Sequence, residues 1–402
     1  MKILFVHPNF PGQFLQLAAA MGRLAADEVV FLSATGEGEL AGVQRVSYAV
    51  KKQAETPHAY VREVEQALLT GEAVWSVGRA LRARGFVPDV VYGHASWGGL
   101  LFLREVFPEA VHVGYCEWFM RSTGQYLDYG TAALDADEAC RLRTSQSATL
   151  LGLLDFDAGI APFEWQKKQF PLEIQPKITV LPDGVDTERF MPEAGGAALL
   201  QELGLNLPAE TELVTYVSRG MEPLRGFPQF AAALAQVQRL RPRCHAVIVG
   251  KMNPAYETKP FEAKQCLLEA GVDPARVHFS GLLPRPAYRR VLQASSVHVY
   301  LTKPFVLSWS FLDALSCGCA VVASATPPVL EVLEDGRTGF LAPFAEPARL
   351  AAQMERCLQG GPEIAAMRRQ AREMVLERFS LNQALNRQRD FLKSLVVRVR
   401  RS

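Results

Sequence analysis

Short apolar runs alternate with amphipathic stretches along the whole chain. Residues 2–6 (KILFV) read as a buried strand, with a helix following from about Phe14. Residues 29–33 (VVFLS) form a second strand, and 87–94 (VPDVVYGH) a third, preceded by a long helical segment. Residues 111–116 (VHVGYC) and 157–162 (DAGIAP) are further strands, and 178–182 (ITVLP) closes the first half. Apolar runs of this length, bounded by turns and separated by helices, predict βαβ units and a parallel sheet covered on both faces.

Between residues 186 and 212 the pattern softens into the polar, punctuated segments DTERFMPEAGG and NLPAETE. The domain junction is expected there, at about residue 190. The rhythm then restarts with strands at 213–218, 245–250, 277–281, 297–301 and 320–324. Helices are expected from about Pro228, around 260–270, from about Ala287 and from about Ser310, and a last one at 381–398. The fold class is α/β, two Rossmann-like doubly wound domains facing a cleft: 1–190, and 191–380. In such sheets ligands bind beyond the carboxyl ends of the strands.

Length supports this division, since 402 residues suit two domains of ordinary size. Forty-three Lys+Arg against 42 Asp+Glu argue against nucleic acid as a partner. The seven cysteines are scattered and odd in number, and Cys317-Gly-Cys319 lacks zinc-site spacing. They read as buried small residues of a reducing compartment, with no metal expected. The opening apolar run is too short for a signal peptide, and no stretch reaches the ~18 residues of a membrane span. A cytoplasmic, soluble protein is expected.

Candidate chemistry lies in the loops after strands. His7-Pro8-Asn9-Phe10-Pro11-Gly12-Gln13 follows the first strand. Its glycine permits close approach to the backbone and the next helix offers free N–H groups to an anion; a plain tight turn is the other reading. Ser218-Arg219-Gly220 through Arg225-Gly226-Phe227 follows the first strand of the second half. Guanidinium forks match phosphate oxygens, so Arg219 and Arg225 read as an anion grip rather than as solvated surface charges. The segment Lys303–Gly318 carries Leu307, Ser308, Trp309 and Asp313 near a helix start. Asp313, placed in the first turn, either accepts from a ribose diol or completes a capping box with Ser310. His94 ends a strand, and Glu117 and Trp118 follow another; each is read as a sugar contact or as structural packing.

Several ordered segments resemble glycosyltransferase family 4, the retaining GT-B enzymes. Val180-Leu181-Pro182-Asp183-Gly184-Val185-Asp186-Thr187-Glu188-Arg189-Phe190 resembles the family's linker segment. Arg219 and Arg225-Gly226 resemble its donor-phosphate pair, and Val277-His278-Phe279-Ser280-Gly281 with Pro284 its "VxFxGxVP" segment. Leu312-Asp313-Ala314-Leu315-Ser316-Cys317-Gly318 resembles its "LEAMACG" helix, and Gly336 with Gly339-Phe340-Leu341 its "EDGxxGxLV" segment. The first half, with HPNFPGQF, is similar to a bacterial polysaccharide-type subgroup. The resemblance implies a nucleotide-diphosphate sugar as co-substrate and no cofactor or metal. It implies a glycan, lipid-linked or small-molecule acceptor, and a terminal helix, 381–402, returning to the first domain. By carry-over Arg219 and Arg225 hold the leaving diphosphate, and Gly12 lets it approach the first domain. Asp313 binds the ribose, and His94 lies near the reacting sugar.

One position departs from the family. Eight residues before Asp313 its motif has Glu, and here Phe305 stands. The contact then passes to Ser308 or to a backbone amide of the 306–309 loop, sugar choice differs, or activity is lost. The competing readings are an inactive GT-B scaffold that binds a nucleotide or partner, and a nucleotide-sugar epimerase. The basic, apolar tail 393–402 reads as a solvated chain end or as a weak peripheral contact with an anionic membrane.

Overall fold

A computed structural model describes residues 1–53, 55, 57–127, 129, 134–208, 210–257 and 259–399. The chain forms two compact units, Met1–Asp183 with Asn382–Ser402, and Gly184–Leu381.

The first unit is built on seven parallel strands: β1 (Lys2–Val6), β2 (Glu28–Ser33), β3 (Val43–Ser47), β4 (Val90–His94), β5 (Val111–Tyr115), β6 (Ala158–Ala161) and β7 (Ile178–Val180). Their order is β3-β2-β1-β4-β5-β6-β7. Side chains of a strand alternate between faces, so an apolar run feeds two cores at once. Ile3 and Phe5 of β1 join Val29 and Phe31 of β2 in one core. Leu4 and Val6 join Val30 and Leu32 in the other. The final helix, Leu381–Val399, seats Leu392 in the first of these cores, with Leu385, Phe391, Leu395 and Val396 packed around it. Two apolar residues of the tail are thus used in packing; residues 400–402 lie outside the described residues.

The second unit has six parallel strands: β8 (Glu212–Gly220), β9 (Cys244–Lys251), β10 (Val277–Gly281), β11 (Val297–Tyr300), β12 (Val321–Ser324) and β13 (Phe340–Ala342), in the order β10-β9-β8-β11-β12-β13. Both sheets change direction of winding beside their first strand, between β1 and β4 and between β8 and β11.

Three expectations are corrected. The units divide at Asp183/Gly184 rather than near 190, because Val185 pairs with Ser380 and exchanges backbone hydrogen bonds with Phe379 and Leu381. The stretch 196–207 is not a bare connection. The short 3-10 helix Gly196–Leu203 buries Leu200 against Leu213, Val247 and Val291, with Leu203, Leu205 and Leu207 packed on that cluster. Strand β3 escapes a search for apolar runs because it is a half-buried edge strand, VQRVS, and β13 is only three residues long. Five of the seven cysteines are buried as expected, but Cys140 is exposed and Cys266 half-buried; all seven are free. Among the described residues no helix is long and apolar enough to cross a membrane.

Candidate functional site

The carboxyl ends of β1, β4 and β5 are neighbours, and each delivers one polar side chain. His7 follows β1, His94 ends β4 and Glu117 lies two residues past β5. Ser96 donates its backbone N–H to His94 Nδ1 at 3.1 Å, so the proton of that imidazole sits on Nε2. From there it is donated to Glu117 Oε2 at 3.2 Å. The other oxygen of Glu117 accepts from Gln13 Nε2 at 3.0 Å. Burial pushes the Glu117 carboxyl up, but the His94 and Gln13 hydrogen bonds and nearby His94 outweigh it and hold it below the usual carboxylate range. His7 is 3% exposed. Burial, helped by the neighbouring His94, pushes its imidazole down to about 4, so it is neutral near pH 7.

Gly12 belongs to this cluster for a conformational reason. Its φ is +52°, and a Cβ there would meet the His7 ring at 2.4 Å. Trp97 is the feature that sequence reasoning missed. It holds a left-handed φ of +67°, unusual for a bulky residue and costing about 1–3 kcal/mol. In that conformation its ring stacks on His94 with centroids 4.1 Å apart, edge-on to His7 at 5.5 Å, while 47% of the residue stays exposed. Trp118, read from the sequence as a sugar contact or as packing, packs with Trp165 and Tyr126 at centroid distances of 5.4 and 6.4 Å. No spacing signal points to Trp97, because its place depends on the turn after β4.

In the second unit the carboxyl ends of β8 and β11 supply the corresponding groups. Arg219 is exposed near the carboxyl end of β8, and its side chain makes no hydrogen bond or ion pair among the described residues. Arg225 behaves differently: it is only 4% exposed. Its Nη1 donates to Thr302 Oγ1 and to the Val306 carbonyl, each at 2.9 Å, which ties the loop after β8 to the loop after β11. The guanidinium lies over the rings of Tyr256 and Phe305, 5.3 and 5.1 Å from their centroids. Such contacts contribute on the order of 1–2 kcal/mol when shielded from water. No carboxylate pairs with Arg225 among the described residues. Glu222, three residues earlier, is fully buried, with Oε2 accepting from the backbone of Ala255, Tyr256 and Glu257 at 3.2, 2.9 and 2.9 Å and Oε1 without a partner among the described residues. Phe305 therefore does not leave a gap where the family has an acid; it forms one side of the arginine's aromatic seat.

Gly226 takes a φ of +68°, and a Cβ there would meet Leu301 at 2.6 Å. Its N–H is bonded to Pro223, so the residue shapes the turn. Ser308 caps the helix Trp309–Ser316: its Oγ accepts from Ser310 N–H at 3.4 Å, and its own N–H donates to Tyr300 Oη at 2.8 Å. Among the described residues, the Leu307 N–H makes no hydrogen bond. Leu307 itself is buried and Trp309 is 39% exposed. Because the helix begins at Trp309, Asp313 lies in its second turn and not in a capping box. It is 3% exposed and accepts from Tyr288 Oη at 3.1 Å. Burial pushes its carboxyl up to about 7, with Asp186 adding to the rise and Arg285 and Tyr288 opposing it. Tyr288, Tyr256 and Thr302 were not legible as partners, since each comes from another loop or helix.

Comparison with known proteins follows the same division. Residues 25–190 match the model for Glycosyl transferase family 4 group, and residues 211–360 match Glycosyl transferases group 1. A D-inositol 3-phosphate glycosyltransferase of Acidothermus cellulolyticus is 28% identical over 189 residues, 46% of this chain and 41% of the relative. The alpha-maltose-1-phosphate synthase of Mycolicibacterium smegmatis is 27% identical over 223 residues, 53% of this chain and 56% of the relative. The chain thus spans about half the length of these relatives. Among solved structures, a sucrose-phosphate synthase from Thermosynechococcus elongatus superposes with a TM-score of 0.77 at 18% identity, covering 99% of each chain. Anabaena HepE, solved with UDP and glucose, gives 0.72 at 18% identity, covering 98% of this chain and 100% of that one. Two family models in order along the chain, and a fold shared with these structures over nearly its whole length, place it among the GT-B glycosyltransferases.

Proposed function

We propose that the chain is an active retaining glycosyltransferase that moves a sugar from a nucleotide-diphosphate sugar to an acceptor hydroxyl without a metal ion. The observation that carries this reading is Arg225: a buried cation, held by Thr302, Val306 and two aromatic rings, with no acid paired to it among the described residues. An unpaired buried charge is costly, and a bound anion removes the cost. Arg219 and the Leu307 N–H add donors at the same end of the sheet. A diphosphate leaving group gains negative charge as the glycosidic bond breaks, and fixed cations aimed at that charge lower the barrier. Asp313 is the ribose contact in this reading. His94, oriented by Glu117, and the exposed ring of Trp97 face the sugar and acceptor. The acceptor is a glycan, a lipid-linked saccharide or a small molecule. The names of the relatives, which include inositol 3-phosphate and maltose 1-phosphate, support a phosphorylated small molecule.

A second reading has one observation behind it. Phe305 occupies the family's sugar-facing acid position, as in a scaffold that binds nucleotide without transfer. A thermal-shift panel of UDP, GDP and ADP sugars, followed by transfer from the stabilising donor in EDTA, separates the two. Transfer that persists in EDTA and disappears in Arg225→Ala supports the enzyme. Stabilisation by nucleotide with neither transfer nor donor hydrolysis supports the scaffold. No rise in Tm with any of these ligands at millimolar levels overturns both, since a ligand of the folded state must stabilise it.

A further inference from the structure

The second unit carries a cavity of about 870 Å³ at the opposite end of its sheet from Arg225. Its floor is the amino-terminal side: Glu212 opens β8, Ser295 and Ser296 precede β11, and Gly318 precedes β12. One wall is the helix Pro362–Arg378, which presents Arg368, Arg369 and Arg372. None of these three arginines is paired with a carboxylate among the described residues. Arg368 donates through Nε to the Gly318 carbonyl. Arg372 is spent on main-chain carbonyls, at 3.0 Å to both Phe190 and Thr187 and also to Ser316. The Arg369 side chain is exposed and makes no hydrogen bond or ion pair among the described residues.

A second observation is independent of the charges. Gln293, 6% exposed, also lines the cavity. Its Nε2 donates to the Met191 carbonyl at 2.8 Å, while its Oε1 is buried with no partner among the described residues. A buried acceptor left unsatisfied costs about 1–3 kcal/mol, and a hydroxyl of a ligand relieves it. The rest of the lining is mixed: Leu358 and Ile364 are apolar, while of the acids Glu193 is paired with Arg290 and Glu212 with Arg241, leaving Glu373 without an ion pair among the described residues. Unpaired guanidinium groups call for an anion with fork-matching oxygens, the amide oxygen for a hydroxyl, and the apolar residues for a ring face.

We propose that this cavity is a second ligand site, specific for a phosphorylated polyol such as a sugar phosphate and separate from the nucleotide end of the same sheet. The proposal does not depend on the transfer reaction. Titration calorimetry of the full chain with glucose 6-phosphate, free glucose and inorganic phosphate tests it. Glucose 6-phosphate is expected to bind, and each half-molecule to bind at least about tenfold more weakly, a difference of about 1.4 kcal/mol. Saturating UDP is to leave that affinity unchanged. Arg369→Glu reverses a charge that supports nothing in the fold, so Tm holds while affinity falls at least about tenfold. Ala365→Trp, at an exposed position on the same helix, blocks the cavity sterically and is to abolish binding. Absence of binding at millimolar glucose 6-phosphate overturns the proposal. Binding that is displaced by UDP overturns it too, as does binding indifferent to both substitutions in protein of unchanged Tm.

Discussion

At the switch point of the first unit, Glu117 is a half-buried acid already engaged by His94 and Gln13. At that of the second unit, Arg225 is a buried cation whose partners among the described residues are aromatic or neutral. The two sheets bring polar groups to equivalent places in their topology, yet one network is closed and the other is open. A closed network positions a side chain for whatever binds beside it. An open one leaves a charge whose partner must arrive from solution. In the proposed function, this difference corresponds to orientation by the first unit and anion binding by the second.

Arg225→Ala is the substitution with the largest expected effect. It should lower kcat by on the order of 10²–10³-fold, the range for removing one fixed donor to developing charge, and should weaken nucleotide binding as well. Unchanged turnover and unchanged UDP affinity would break the comparison at its strongest point. Glu117→Ala should cost about 10–100-fold in kcat, as loss of an orienting partner typically does, with UDP affinity within about twofold of the parent. A parallel loss of UDP affinity would show that the first network is also a nucleotide contact.

Smaller effects separate the units by pH. His7 is pushed down to about 4 by burial, while unfolded histidine binds its proton near 6.5. Stability is therefore lost as pH falls from about 6.5 towards 4. Asp313 is shifted the other way, up to about 7, so the folded chain keeps a proton that the unfolded chain releases near 4. Stability is lost as pH rises through that window. Asp313→Asn keeps an acceptor for Tyr288 and removes the titration. Its Tm should match the parent near pH 4 and exceed it at pH 8, by about 2–4 °C for each kcal/mol recovered. His7→Asn should flatten only the acid side. Tm–pH profiles of the two variants check this, and identical profiles would refute the split.

The core-forming strands β1 and β2 were legible because a parallel strand covered on both faces is apolar along its middle, as Ile3–Val6 and Val29–Leu32 are, with Lys2 and Ser33 at the strand ends. The loops after strands were legible because a parallel sheet delivers its chemistry at carboxyl ends. From these the order of most elements, the α/β class, and Arg219, Arg225, His94 and Asp313 as residues to watch follow from the sequence alone, while the edge strand β3 and the helix Gly196–Leu203 do not. What it did not determine is whom each of them meets. Arg225 reaches Thr302 and Val306 over 77 and 81 residues, and His94 reaches Glu117 over 23. Such partners share no local period, and only the register of neighbouring strands brings them within hydrogen-bond range. The same holds for Trp97, whose left-handed backbone is held by the turn around it, and for Phe305, which sequence reading treats as a missing acid. Tertiary structure makes it the apolar seat of a buried cation, because a side chain's role is set by what packs against it.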